Sequence, residues 1–199
     1  MRAAEQDRPD VAASRRFWIK TQRLLEPQSL VFLDESGAKT NMTTLYGRSE
    51  VGERCVDASP HGHWKTLTLL SAIRLDGVIE DATIVVDGAM DGEVFANDAE
   101  RCLAPSLRPG DLVVMDNLPS HKVTGVAEAI ETAHANVWYL PAYSPDLNPI
   151  EKLWSKVKAW LRRVAADTID GLIEATADAL RDVQPDECKH YFESCGYGQ

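Results

Sequence analysis

Three acidic residues stand where the sequence predicts that a strand ends or a helix begins. Asp34 closes the apolar run of residues 29–33, Asp116 closes a second apolar run, and Glu151 opens a strongly periodic helix. Carboxylates that converge in one pocket repel one another and stay ionised only beside a compensating cation. Oxygen ligands suit Mg²⁺ or Mn²⁺. Two such ions about 3.5–4 Å apart can clamp the attacking and leaving oxygens of a phosphoryl displacement.

Each of these acids also has a simpler interpretation. Asp34 can be the polar end of a strand, and Asp116 followed by Asn117 is ordinary turn chemistry. With Asn148 as the N-cap of the helix, Glu151 falls at the third helical position, where a capping-box glutamate belongs. Spacing alone therefore leaves a structural and a chemical interpretation open for each residue.

The elements that must position these acids follow from hydrophobic periodicity. Short apolar or alternating runs predict three strands that turn back on one another, at 29–36, 64–77 and 78–88. The pattern then alternates between helix and strand, with helices at 92–107 and 122–134 and strands at 111–117 and 136–143. Three helices follow at 149–165, 168–183 and 186–194. This order predicts an α/β fold: a mixed five-stranded sheet, with three antiparallel strands followed by parallel ones and helices on both faces.

Such a sheet would gather the three acids. Ligands of open α/β sheets bind beyond the carboxyl ends of the strands. If the first and fourth strands are neighbours, Asp34 and Asp116 project from adjacent ends. The turn after the fifth strand then brings Glu151 to the same edge.

Composition is that of one globular domain. The chain has 199 residues, of which 44% are hydrophobic and 26% charged, which excludes a disordered or low-complexity protein. No apolar run approaches 18 residues and no secretory signal is evident, so no membrane partner and a cytoplasmic location are expected. The net charge of −10 argues against nucleic acid. However, residues 148–165 carry five bases and one acid.

Three strings carry a resemblance to a known family: VFLDES, VVMDNLPSHK and YLPAYSPDLNPIEKLWSKVK. They resemble the catalytic domain of transposases, specifically the bacterial insertion-sequence branch of the mariner-like superfamily with its Asp-Asp-Glu triad. The resemblance covers about residues 29–197, and the 34 residues between Asp116 and Glu151 match that branch. It implies a ribonuclease H-like fold, two Mg²⁺ or Mn²⁺ ions, and DNA strand cleavage followed by strand transfer. It implies no small-molecule cofactor.

The resemblance also implies roles for individual residues. Asp34, Asp116 and Glu151 become the catalytic, metal-binding triad. Asn117 and His121 lie in the second motif and are expected to support the site or to contact DNA. Glu35, which follows the first aspartate, is left out because alternation along a strand turns it to the other face.

Basic and aromatic residues near the triad are candidates for contacts with DNA. Lys158 and Arg162 follow Glu151 at helical spacing, so we expect them to contact phosphates, although a solvated basic helix face is the simpler interpretation. Tyr143 precedes the proline-rich turn and can line a DNA groove. Arg48 lies in the long loop 37–62, which by resemblance would meet DNA or the second subunit of a homodimer.

The resemblance divides the chain into a leading segment, 1–28, and a catalytic domain, 29–199. The leading segment is expected to be the remnant of a linker to a DNA-binding region, and the expected partners are transposon ends and target DNA in a bacterial cytoplasm. Three other functions stay open. They are a catalytically silent binding domain derived from a transposase, a nuclease of the same fold that only hydrolyses, and a glycosidase with a carboxylate pair.

Overall fold

A single mixed β-sheet organises the chain in a computed structural model, which describes residues 3–56 and 63–198. The spatial order of its strands is β3-β2-β1-β4-β5. The strands are β1 (Leu30–Lys39), β2 (Thr66–Arg74), β3 (Gly77–Asp87), β4 (Leu112–Met115) and β5 (Asn136–Tyr139). β1, β2 and β3 pair antiparallel, whereas β4 pairs parallel with both β1 and β5. The predicted architecture is confirmed, and β1 and β4 are indeed neighbours.

Seven α-helices lie within the described ranges, together with short 3₁₀ segments. They are α1 (Pro9–Thr21), α2 (Gly92–Asp98), α3 (Ala104–Ser106), α4 (Thr124–Thr132), α5 (Ile150–Val164), α6 (Ile169–Arg181) and α7 (Pro185–Ser194). The predicted helix 92–107 is divided, because a π-helical turn at Ala99–Leu103 separates α2 from α3. Within the described ranges, no helix has the length and apolar character needed to cross a bilayer.

Two apolar cores cover the two faces of the sheet. Alternation along β1 sends Leu30 and Phe32 to one core and Val31 and Leu33 to the other. The first core is completed by α5, α6 and α7, and the second by α2 and α4. Continuing this alternation assigns Asp34 to the α5 side of the sheet and the next residue to the opposite side.

Helix α5 is held in place by its apolar stripe. Its buried residues recur at helical spacing: Ile150, Leu153, Trp154, Val157 and Leu161. The helix ends at Ala165, whose left-handed backbone (φ 53°) lets its N–H donate to the Leu161 carbonyl. Because one face is fixed in the core, the first turn of α5 is fixed at the sheet edge.

The beginning of α5 differs from the sequence prediction. The helix begins at Ile150 with Pro149 in the cap position, and no side chain caps it. Asn148 is therefore not a capping residue, and the capping-box interpretation of Glu151 is wrong. The physical reason is that the Asn148 side chain is turned toward Asp34, and its Oδ1, the atom that would cap the helix, makes no hydrogen bond.

Strand β1 is longer than predicted. It runs to Lys39 because β2 offers it paired partners as far as Thr66, so Asp34 lies inside the strand rather than at its end. Residues 40–56, which belong to the predicted loop 37–62, contain no strand. Residues 57–62 of that predicted loop lie outside the described residues.

Candidate active site

The three predicted acids line one cavity of about 400 Å³. It lies where the β1 and β4 strands stop pairing and where α5 begins. Its walls are Asp34, Asp116, Asn117, Leu118, Leu140, Pro141, Ala142, Tyr143, Ser144, Pro145, Asn148 and Glu151. The topology therefore brings together residues from three separate parts of the chain.

The sheet register fixes the first two acids side by side. The last parallel pair of β1 and β4 is Phe32 with Val114, and each strand has an aspartate two residues further on. Asp34 is buried, with 7% of its surface exposed. Burial raises its pKa to about 7, and the charges of Glu151 and Asp116 add to the shift. The cavity thus concentrates negative charge, which His121 and Lys158 offset in part.

Glu151 reaches the cavity from the first turn of α5. Desolvation by surrounding protein atoms raises its pKa, Lys158 lowers it, and Asp116 raises it. Lys158 stands two turns along the same helix, so its ammonium group acts on the site through its charge. The charge of Glu151 therefore interacts with those of Asp34, Asp116 and this lysine.

Asn148 is a site residue that the sequence analysis interpreted only as a helix cap. Its Nδ2 donates to Oδ2 of Asp34 at 3.4 Å, inside the protein. Its Oδ1 is buried without a hydrogen-bond partner. This unpartnered acceptor adds another oxygen beside a buried carboxylate. In the sequence, Asn148 could have been noticed as a site residue from the string SPDLNPIE, in which it stands three residues before Glu151.

His121 supports Asp116 from behind the cavity. Its ring is buried and stacks on Phe95, with 4.4 Å between ring centroids. Nδ1 lies 2.6 Å from Oδ1 of Asp116, and Nε2 lies 3.2 Å from Oε1 of Glu35. Burial alone would lower the pKa of His121, but the contacts with Asp116 and Glu35 outweigh it and raise the pKa to about 9. One ring nitrogen lies next to each carboxylate, so the buried imidazole fixes Asp116 relative to Glu35.

Glu35 thus has a role that strand alternation concealed. It belongs to the opposite face, as expected, yet its carboxylate reaches His121, which connects it to Asp116. The backbone N–H of Leu118 also donates to Oδ1 of Asp116 at 3.1 Å. Asp116 is oriented by two neighbours, one from its own turn and one from the buried histidine.

The donor set fits a hard divalent cation. Its side-chain ligands are all oxygens, as Mg²⁺ and Mn²⁺ prefer. Among the described residues, no three His, Cys, Asp or Glu side chains approach closely enough to enclose an ion unaided. Mg²⁺ sites are commonly of this open kind, with one or two carboxylates, several waters and the phosphates of the substrate completing the shell.

The remaining predicted residues divide into two groups. Asn117 and Tyr143 line the cavity, and Tyr143 is half exposed with a left-handed backbone (φ 56°). Arg162 does not line it, since eleven residues of helix separate it from Glu151 by about 16 Å. Arg48 does not line it either and lies exposed in an irregular segment.

Comparison with known proteins places this geometry in a family. The model of the DDE superfamily endonucleases matches residues 29–173. The Tcb2 transposase of Caenorhabditis briggsae is 28% identical over 127 residues, which are 56% of this chain and 46% of that protein. The Tc1 transposase of Caenorhabditis elegans is 26% identical over 127 residues, with the same coverage. The chain therefore spans about half the length of the curated relatives it matches.

Solved structures give the same fold. A Mos1 mariner paired end complex with Mn matches with a TM-score of 0.78 at 16% identity, covering 98% of this chain and 61% of that chain. The catalytic domain of Mos1 mariner transposase matches with a TM-score of 0.71 at 14% identity, covering 98% of this chain and 91% of that chain. The predicted ribonuclease H-like fold is confirmed by this likeness.

Proposed function

Since the chain belongs to the DDE superfamily endonucleases, we propose that it is the catalytic domain of a transposase. In this proposal it cleaves DNA at the ends of an element and joins the freed end to target DNA. The observation that carries the proposal is the convergence of Asp34, Asp116 and Glu151 on one cavity, each delivered by a different element.

Asp34, Asp116 and Glu151 are the residues that would hold Mg²⁺ or Mn²⁺, as two ions. When bound, the cations supply charge stabilisation to the attacking and leaving oxygens of a phosphodiester. The carboxylates orient the ions, and Asn148 and His121 orient the two aspartates through the contacts at 3.4 Å and 2.6 Å. The chain thus contributes positioning more than proton transfer.

Contacts with DNA are proposed for residues at and beside the cavity. Asn117 and Tyr143 line it, and Lys158 acts on Glu151 through its charge. Arg162 and Arg48 would meet phosphates further from the reacting bond, outside the cavity. Cations in the site would reverse its local charge, which reconciles a net charge of −10 with a polyanionic substrate.

A homodimer is proposed as the working assembly. The Mos1 neighbours include a paired end complex and a transpososome, which supports pairing of subunits here. In this chain the irregular segment 41–56 exposes large apolar side chains: Leu45, Tyr46, Val51 and Val56. Exposed apolar groups of this kind are suited to burial against a second subunit. We also propose that residues 1–28 connect the catalytic domain to a DNA-binding region, in a bacterial protein.

A plasmid assay in Mn²⁺ tests this function. We expect nicked and linear products from the wild-type chain. They should vanish in Asp116→Asn but persist in Asp167→Asn, which replaces an exposed acid. Products in which a 3′ end is joined to a second DNA molecule indicate strand transfer, whereas nicks without joints indicate the nuclease alternative. Mn²⁺ binding without any DNA cleavage would favour the catalytically silent domain and contradict the proposal.

A further inference from the structure

Helix α1 lies outside the matched family region and is tied to the turn that precedes the candidate active site. The guanidinium group of Arg15 makes a bidentate pair with Asp146, with Nη1 to Oδ1 at 2.9 Å and Nη2 to Oδ2 at 2.6 Å. The same Nη1 also donates to Oγ of Ser144 at 2.7 Å. Forked pairs of this type fix geometry as well as charge. The Arg15 side chain is 14% exposed and that of Asp146 is 54% exposed.

A second contact joins the leading segment to the same turn. Nε2 of Gln6 donates to the carbonyl of Tyr143 at 2.6 Å. Tyr143 has a left-handed backbone, with φ of 56°, which costs free energy for a residue other than glycine. Such a conformation persists only where the surroundings hold it. Gln6 therefore stabilises the strained residue at which the turn begins.

A third connection runs through the carboxyl-terminal part of the chain. Nε1 of Trp18 donates to the hydroxyl of Tyr197 at 3.0 Å, and that hydroxyl donates to the carbonyl of Leu147 at 2.8 Å. Both aromatic side chains are buried. The turn is thus held at its beginning, its middle and its end by side chains that lie far away in sequence.

The turn transmits its position directly to two site residues. These are backbone hydrogen bonds. The N–H of Leu147 donates to the carbonyl of Ser144, that of Asn148 to the carbonyl of Pro145, and that of Glu151 to the carbonyl of Asn148. Any displacement of residues 144–147 therefore moves two things: the Asn148 side chain, which contacts Asp34, and the first turn of α5, which carries Glu151. A misplacement of about 1 Å can cost on the order of a hundredfold in rate.

We propose that Arg15 is a positioning residue that braces the turn 143–147 and thereby sets where Asn148 and Glu151 stand. Its effect on catalysis rests on the proposed function, whereas its effect on the turn does not. Arg15 acts through the turn and does not touch the reacting atoms.

Hydrogen exchange of the folded chain tests the brace without requiring catalysis. In Arg15→Ala we expect the amides of Leu147, Asn148 and Glu151 to exchange at least tenfold faster, while the amides of β1 and β4 keep wild-type rates. Arg16→Ala removes an exposed arginine one position away and should leave all of these rates unchanged. Arg15→Lys, which keeps the charge but not the fork, should fall between the two.

Kinetics on a cleavable DNA then separate positioning from DNA binding. Arg15→Ala should lower kcat at least tenfold with KM for DNA within twofold of wild type. Asp146→Asn should produce the same loss, and the double variant should lose no more than either single variant. Should Arg15→Ala fail to fold, Arg15→Lys and Asp146→Asn carry the test.

Unchanged hydrogen exchange in the turn of Arg15→Ala would overturn the proposal. A raised KM with unchanged kcat in that variant would also overturn it, because Arg15 would then be a DNA contact. A wild-type chain that binds Mn²⁺ but never cleaves DNA would instead contradict the proposed function. The exchange experiment would still decide whether the brace exists.

Discussion

Asp34 and Asp116 stand at the same level of the sheet on neighbouring parallel strands, each two residues beyond the last paired position. This register places two carboxylates side by side at one edge of the sheet, and burial of Asp34 makes their proximity costly without a cation. Glu151 completes the set from α5. The chemistry of these three donors fits the proposed metal site.

The first prediction concerns Asp116. Replacing it with asparagine keeps the shape of the side chain but removes one ionised ligand. We expect a loss in DNA cleavage rate on the order of 10³, since metal ions contribute several kcal/mol to such reactions. The melting temperature should remain within a few degrees of wild type. Cleavage at the wild-type rate would rule out Asp116 as a ligand, and Asp167→Asn serves as the charge-matched control.

The second prediction concerns the support of Asp116 by His121. His121→Phe keeps the stack on Phe95 but loses the contacts with Asp116 and Glu35. Loss of an orienting partner typically costs 10–100-fold, so kcat should fall by about that factor while KM for DNA stays constant. His190→Phe, at an exposed position, should behave as wild type. Cleavage by His121→Phe within twofold of wild type would mean that Asp116 needs no such support.

The sequence predicted the sheet and the meeting of the three acids because both depend on local patterns. The apolar run of residues 29–33 identifies a buried strand, and helical spacing from Ile150 to Leu161 identifies the buried face of α5. Once β1 and β4 are neighbours, the aspartate that follows each apolar run lies at the same edge of the sheet. Predicting that the acids meet therefore required no long-range information beyond the strand order.

Contacts between distant elements escaped the sequence analysis for a physical reason. The Glu35–His121 contact spans 86 residues and the Arg15–Asp146 contact spans 131. Neither leaves a periodic pattern, because each depends on how two elements pack. Asn148 was misinterpreted because asparagine is equally suited to capping a helix and to orienting a carboxylate. Its position before a helix favoured the interpretation as a cap, but in the folded chain its side chain contacts Asp34 instead.

The third prediction concerns stability and pH. Burial raises the pKa of Asp98 to about 6, and the Cys102 thiol offsets only part of this shift. The folded state therefore holds a proton that the unfolded chain releases above about pH 4, so this group lowers stability as pH rises from 4 to 6. Asp98→Asn removes the effect and should stabilise the protein above pH 6 by roughly 2 kcal/mol, or about 5 °C in melting temperature.

Melting curves between pH 4 and pH 8 check this prediction for Asp98. The difference between Asp98→Asn and wild type should grow from pH 4 to pH 6 and then stay constant. Glu100→Gln, an exposed acid in the neighbouring turn, should show no such growth. A difference that is the same at pH 4 and pH 8 would mean that Asp98 is ionised in the folded protein at both values.

The position of bound Mn²⁺ shows directly whether the three carboxylates form a metal site. Anomalous diffraction from crystals soaked in Mn²⁺ locates the ion without requiring any DNA sequence, since Mn²⁺ commonly replaces Mg²⁺ at oxygen sites. We expect a peak coordinated by Asp34, Asp116 and Glu151, absent from crystals of Asp116→Asn. Peaks only elsewhere, or no peak at the three carboxylates even with a DNA end bound, would contradict this expectation.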